Sequence, residues 1–367
     1  MSKRIIKKVA VLGSGVMGSR IACHFAGVGL QVLLLDIQAP SNSPEGGGLP
    51  ERNKVVNDAL AAAIKSNPSP VYTKDALKRI ATGNFTDNMK DIADCDWVIE
   101  VVVERLDIKQ LVFTDVEKYR RPGTLITSNT SGIPIHLMAE GRSEDFQKHF
   151  CGTHFFNPPR YLKLLEIIPT TKTDPDVTKF LMHYGDLFLG KTTVLCKDTP
   201  AFIGNRVGIY GLLKVIDSMR KFDLNVDEVD KLTGPVIGRP KSATFRTSDV
   251  VGLDTLVKVS NNLYAGLVND EGREMFKLPD VVKTLEQNKW LGDKTGQGFY
   301  KKTKGAKGQT EILTLDLKTL EYKAKEKVKF ATLETTKGID KLKVCPTLTS
   351  AIPCRTFSAV SSFMRPS

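Results

Sequence analysis

Between Val9 and Asp36 the chain reads VAVLGSGVMGSRIACHFAGVGLQVLLLD. An apolar run ends in Gly13, Gly15 and Gly18, a helical pattern follows, and a second apolar run stops at an acid. Few folds accept that order, because two buried strands joined through a glycine turn and a helix form a parallel pair with a crossover. Gly13 permits the tight turn, Gly15 lets backbone approach a pyrophosphate, and Gly18 lets the helix pack closely on the strand. The first helical amides, those of Val16, Met17 and Gly18, then face the phosphates, where the helix dipole favours negative charge. Asp36 stands eighteen residues after the last glycine. There it is placed to accept hydrogen bonds from both ribose hydroxyls, and its charge repels a 2′-phosphate. The segment predicts a dinucleotide site that takes NAD in preference to NADP. A plain strand-to-helix turn is the alternative, and the ordered acid at the second strand's end weighs against it.

At 367 residues the chain is long enough for two ordinary domains. Its 41% hydrophobic and 26% charged content is that of a water-soluble globular protein. No apolar run approaches the ~20 residues that span a bilayer, so no membrane partner is expected. The start, MSKRIIKKVAVLG, runs directly into the first strand without the plan of a signal peptide, so a cytoplasmic location is expected. Six cysteines are scattered with no C-x-x-C pair, which predicts reduced thiols and no metal site. The net charge of +12 raises the question of nucleic acid. Residues 301–343 hold twelve lysines against six acids, and two further arginines follow, so the excess sits on the C-terminal stretch. A solvated charged surface is expected there, and no nucleic-acid partner.

Alternating strand and helix patterns run from residue 4 to about 197, with candidate strands at 5–12, 30–35, 96–103, 123–127, 150–155, 163–168 and 191–196. This predicts an α/β fold with a doubly wound, Rossmann-type sheet over 1–197. Residues 39–53 carry turn formers and read as a loop, and an amphipathic helix follows before Pro68. After Cys196 the texture turns helical: Asp198 and Thr199 read as caps of a helix with Pro200 at its first position. A smaller all-helical domain is expected over 198–302, and a basic extension or linker over 303–367, its last 24 residues without regular structure.

A nicotinamide enzyme that oxidises an alcohol needs a base for the hydroxyl proton. His154, in CGTHFFNPPRYLKLLEII, follows an apolar strand and precedes a chain-turning Asn157-Pro-Pro, so it is expected at a strand end bordering the ligand cleft. Glu166 falls twelve residues later inside a second apolar strand, where a carboxylate is costly unless paired. Pairing with His154 satisfies the acid and fixes the imidazole's tautomer. A satisfied core histidine is the plain alternative. His24, His136, His149 and His183 sit in helical or loop contexts without a comparable partner and read as structural.

Residues 4–302 resemble the 3-hydroxyacyl-CoA dehydrogenase family. The ordered motifs are GSGVMGSRIACHFA, DWVIEVVVERLDIKQ, SNTSGI, GTHFFNPPRYLKLLEIIP, CKDTPAFIGNR, VVGLDTL and GDKTGQGFY. The resemblance implies oxidation of a (S)-3-hydroxyacyl-CoA to the 3-ketoacyl-CoA with NAD, as in fatty acid β-oxidation, with His154 as base and Glu166 orienting it. It implies Ser128 near the substrate hydroxyl and nicotinamide, although that hydroxyl equally caps the following turn. Asn205 would orient the substrate carbonyl. Glu104 and Lys109 would lie near the nicotinamide, or form a solvated pair. Lys65 would contact the CoA phosphates, or be an ordinary surface lysine. A homodimer is also implied.

Three features depart from compact family members: the 39–53 loop, Ala243-Thr244-Phe245 in place of a more usual Gly-Pro-Phe, and the lysine-rich stretch beyond Tyr300. The last is similar to the front of longer multifunctional β-oxidation proteins. Competing readings are a dehydrogenase of another small 3-hydroxy acid, a non-catalytic NAD-binding relative of crystallin type, and a nucleic-acid binder through the basic stretch.

Overall fold

A computed structural model describes residues 4–40, 49–305, 308–331 and 333. The core of the 39–53 loop, residues 41–48, and the tail from 334 lie outside the described residues, as do Cys345 and Cys354. The chain divides into two compact units at the Ile203–Gly204 junction.

The first unit is built on eight strands: β1 Lys8–Leu12, β2 Gln31–Asp36, β3 Ile80–Asn84, β4 Trp97–Glu100, β5 Leu125–Ser128, β6 Phe150–Phe155, β7 Leu164–Pro169 and β8 Thr192–Leu195. Their order is β3-β2-β1-β4-β5-β6-β7-β8. β1 to β6 are parallel, β7 pairs antiparallel with β6, and β8 runs parallel to β7. Sheets covered on both faces read as continuous apolar runs, and KVAVL, QVLLLD and WVIE do.

Alternate residues serve opposite faces. Val9, Val11, Trp97, Ile99 and Phe155 form one core with the helices Val16–Gly27 and Pro175–Leu187. Ala10, Leu12, Val98, Ile126, Phe150 and Ile168 form the other with the helix Leu106–Tyr119. β3 was not expected from the sequence. IATGN is short, contains a glycine and lies at the sheet edge, so it carries little of the apolar signal that marks its neighbours.

Asp198 does not cap a helix starting at Pro200. Its carboxylate accepts from the amides of Ile135 and His136 at 2.8 and 2.9 Å, and Ala201 and Phe202 adopt left-handed φ, which stops helical propagation until Gly204.

In the second unit the helices Gly204–Lys221, Val226–Thr233, Phe245–Val251, Leu253–Gly266 and Asp280–Gln287 are followed by a meander. Its strands are β9 Tyr300–Lys304, β10 Thr310–Leu315 and β11 Tyr322–Ala324. Strand residues between 303 and 324, expected as part of an extension or linker, therefore belong to a small sheet. Leu315 is buried in it, and Thr314 Oγ1 bonds Asp227 at 3.1 Å. One-sided burial of a lysine-dense hairpin hid its alternation. The Ala243-Thr244-Phe245 departure begins the helix Phe245–Val251: the Asp230 carboxylate accepts from the amides of Thr244, Phe245 and Arg246.

Candidate active site

Strand register assembles the site. Glu100 pairs with Ser128, Ser128 with Gly152, and His154 with Glu166. Paired residues share a face, and so do residues two apart on a strand. Glu100, Ser128, His154 and Glu166 thus share a single face of the sheet as a stepped polar row: Glu100 and Ser128 lie one step beyond the apolar layer of Val98 and Ile126, and His154 and Glu166 one step further along β6 and β7.

At one end of the row, His154 Nδ1 lies 2.7 Å from Glu166 Oε2. The antiparallel β6–β7 pairing sets the two directly opposite, so the twelve-residue spacing closes into one contact. Glu166 is fully buried, and its Oε1 accepts from the Ile203 amide at 3.0 Å. A carboxylate at Nδ1 fixes that nitrogen as the N–H donor and leaves Nε2 with its lone pair. Phe156 and Phe202 flank the ring at 4.6 and 5.7 Å between centroids.

Ser128 and Glu100, both fully buried, occupy the middle and the other end. Ser128 Oγ lies 2.5 Å from Glu100 Oε2 and accepts from the Thr130 amide at 3.2 Å, so it does cap the following turn. Glu100 Oε1 accepts from Lys109 Nζ at 2.7 Å and from the Val102 amide at 2.6 Å. Burial pushes the Glu100 carboxyl up, and the Lys109 ammonium opposes it. Lys109 also stands 3.4 Å from Glu104 Oε2. It is 1% exposed, so the pair is not the solvated one that the sequence left open. Glu104 Oε1 gathers Thr130 Oγ1, the Ser131 amide and the Gly132 amide at 2.6 to 3.0 Å. Against the upward push of burial, Lys109 and these donors hold its carboxyl below the usual range.

The glycine turn lies where strand order reverses, between β1 and β4. Gly13 takes φ +104°, and a Cβ there would sit 2.6 Å from the Val101 carbonyl oxygen of the β4 end; a Cβ on Gly18 would strike the Gly13 carbonyl. A Cβ on Gly15 would meet nothing within 4 Å, and no side chain caps the helix that Val16, Met17 and Gly18 open. That open, amide-rich helix start fits a dinucleotide pyrophosphate. Asp36 Oδ2 accepts from the Ser14 amide and Ser14 Oγ, both at 2.5 Å, and Oδ1 from the Ile37 amide at 2.7 Å. A carboxylate has about four lone-pair positions, so capacity for a ribose hydroxyl remains.

Lys65 is exposed at the end of the helix Lys54–Lys65. Asn205 lies half-buried in the first turn of Gly204–Lys221, in the second unit. His136 does have a carboxylate partner, against expectation: its Nδ1 lies 2.6 Å from Asp198 Oδ2, but the ring is exposed and Asp198 serves backbone amides there. The sequence reading missed Glu100. Its signal was the one used for Glu166, an acid inside an apolar run, here DWVIEVV. Among the described residues no group of three or more His, Cys, Asp or Glu is placed to hold a metal, and no helix is long and apolar enough to cross a membrane.

A doubly wound sheet, a glycine turn at its switch point and an acid closing β2 define an NAD-binding fold of the dehydrogenase class. Residues 8–199 match the NAD binding domain of 3-hydroxyacyl-CoA dehydrogenase, and residues 202–302 match its C-terminal domain. The chain belongs to the 3-hydroxyacyl-CoA dehydrogenase family. It is 48% identical over 340 residues to a "Probable 3-hydroxyacyl-CoA dehydrogenase" of Bacillus subtilis, covering 90% of this chain but 42% of that protein. The chain thus spans less than half the length of that relative. A Deinococcus radiodurans protein described in the same words is 45% identical, over 84% of this chain and 86% of its own length. Among solved structures, FadB2 of M. tuberculosis superposes with a TM-score of 0.66 at 28% identity, over 81% of this chain and 99% of that one.

Proposed function

We propose that the chain catalyses the NAD-dependent oxidation of (S)-3-hydroxyacyl-CoA thioesters to 3-ketoacyl-CoA, the reaction of fatty acid β-oxidation. The observation that carries this is the buried His154–Glu166 contact at 2.7 Å, on the sheet face it shares with Ser128. With Nδ1 committed to Glu166, Nε2 takes the proton of the 3-hydroxyl, and Glu166 stabilises the imidazolium that results. Bound NAD supplies the acceptor for the hydride that leaves C3. Gly13 to Gly18 and Asp36 would hold the cofactor's pyrophosphate and adenosine ribose, and Glu104 and Lys109 would lie near its nicotinamide end. By the family resemblance, Ser128 would stand near the substrate hydroxyl and nicotinamide, Asn205 would orient the substrate carbonyl and Lys65 would contact the CoA phosphates.

A family relative more than twice as long as the matched part supports reading the chain as the dehydrogenase portion of a longer β-oxidation protein. We assign it to the cytoplasm and to a homodimer; intact mass of the native protein and sedimentation test these assignments.

The deciding experiment is NADH oxidation with acetoacetyl-CoA against free acetoacetate. Turnover that requires the CoA thioester supports the proposal. Turnover with the free acid alone makes the chain a small hydroxy-acid dehydrogenase. NADH binding without turnover on short or long 3-ketoacyl-CoA makes it a non-catalytic relative.

A further inference from the structure

Glu100 is buried as completely as Glu166, and the proton transfer described above makes no use of it. Its two oxygens face different chemistry. Oε1 accepts from two fixed donors, the Val102 amide and the Lys109 ammonium, while Oε2 faces the hydroxyl of Ser128 at 2.5 Å. A serine hydroxyl has one proton and two lone pairs. Opposite a carboxylate the hydroxyl donates that proton to Glu100 Oε2. One lone pair is taken by the Thr130 amide at 3.2 Å, so Ser128 is left with a single lone pair to offer.

We propose that Glu100 is a positioning residue that claims the hydroxyl proton of Ser128, so that Ser128 receives the substrate as a hydrogen-bond acceptor. This rests on the reading of the site as a 3-hydroxyacyl-CoA dehydrogenase. The consequence is selective. A 3-hydroxyl can donate to Ser128, whereas a 3-ketone has no proton to donate. Ser128 therefore favours the alcohol form, holding it until its proton turns to His154 Nε2. An interaction made to the bound alcohol and released before reaction lowers KM and kcat together and leaves kcat/KM unchanged.

Glu100→Gln reverses the arrangement. Its amide oxygen must face Val102 and Lys109, which turns the amide N–H₂ toward Ser128 and frees the serine proton for a ligand. The test is calorimetric binding of 3-hydroxybutyryl-CoA and acetoacetyl-CoA to the cofactor-free protein, where no turnover occurs, in wild type, E100Q, S128A and the double variant. Wild type should bind both thioesters. E100Q should shift the alcohol-to-ketone affinity ratio toward the ketone by about tenfold, the scale of one exchanged hydrogen bond. S128A should weaken the alcohol several-fold and leave the ketone unchanged, and E100Q should then move the ratio no further in the S128A background.

Equal changes for both ligands in E100Q, or a ratio shift that persists without Ser128, would overturn the inference while leaving the dehydrogenase reading intact. S128A weakening the ketone as much as the alcohol would overturn it without recourse to E100Q, should that variant not fold. A wild type that binds neither thioester overturns the dehydrogenase reading and this inference together.

Discussion

His24 and His154 lie on opposite sides of the same sheet, one on the helix covering the first core and the other in the polar row of the second face. Both are nearly inaccessible, and both have phenylalanine neighbours, with ring centroids at 6.4 Å for His24–Phe155 and 4.6 Å for His154–Phe156. Their partners differ. His24 Nε2 lies 3.1 Å from the carbonyl of Leu189, and burial pushes its pKa down to about 4, with the nearby charge of Lys191 adding to the effect. His154 has a buried carboxylate instead. A carbonyl satisfies a neutral imidazole, while a carboxylate also favours the charged one. Burial against a carbonyl leaves a core residue, and burial beside a carboxylate is the arrangement that the proposed base requires.

The sharpest break of that contrast is His154→Ala, expected to lower kcat for acetoacetyl-CoA reduction by roughly 10²–10⁴ while NADH binding holds. Stopped-flow turnover beside a fluorescence titration of NADH checks it, and an unchanged kcat removes the base assignment. Glu166→Gln comes next. It should cost at least about tenfold but less than loss of the base itself, because the imidazole stays while its tautomer and charge lose their support; equal kcat in variant and wild type would mean the carboxylate only fills space.

The third expected effect is on stability. His24 is held neutral in the fold, with a pKa of about 4 against about 6.5 when unfolded. Between those values the unfolded chain binds more protons, so the fold loses stability as pH falls from about 6.5 to about 4. The loss amounts to ~3 kcal/mol at most, and none arises from His24 above that window. Urea unfolding at several pH values should show a shallower slope in His24→Gln, whose amide still donates to Leu189. The smallest effect closes the contrast: His24→Gln should turn over within about twofold of wild type, and a large loss would place that region in the chemistry.

How much of this was legible depended on where the signal lay. The glycine turn, Asp36, His154 and Glu166 were read from order and spacing, since each sits in a local pattern whose cost or use is fixed by its neighbours. Glu100 carried the same misfit as Glu166 but passed unread, because Ser128 lies twenty-eight residues away beyond a crossover helix. β3 and the β9–β11 meander were missed for want of apolar contrast. Asp198 was misassigned because a capping carboxylate in sequence does not state which amides it will cap.

The sequence by itself determined the doubly wound class, the nucleotide turn and the identity of a histidine and an acid that needed each other. Those follow from periodicity, from glycines that no other residue replaces at such contacts, and from the cost of burying a lone carboxylate. Tertiary structure alone decided the row. Which strands become neighbours, and in what register, is a sum over two packed faces, and it brought Glu100 beside Ser128 and Lys109 and left His24 with a carbonyl.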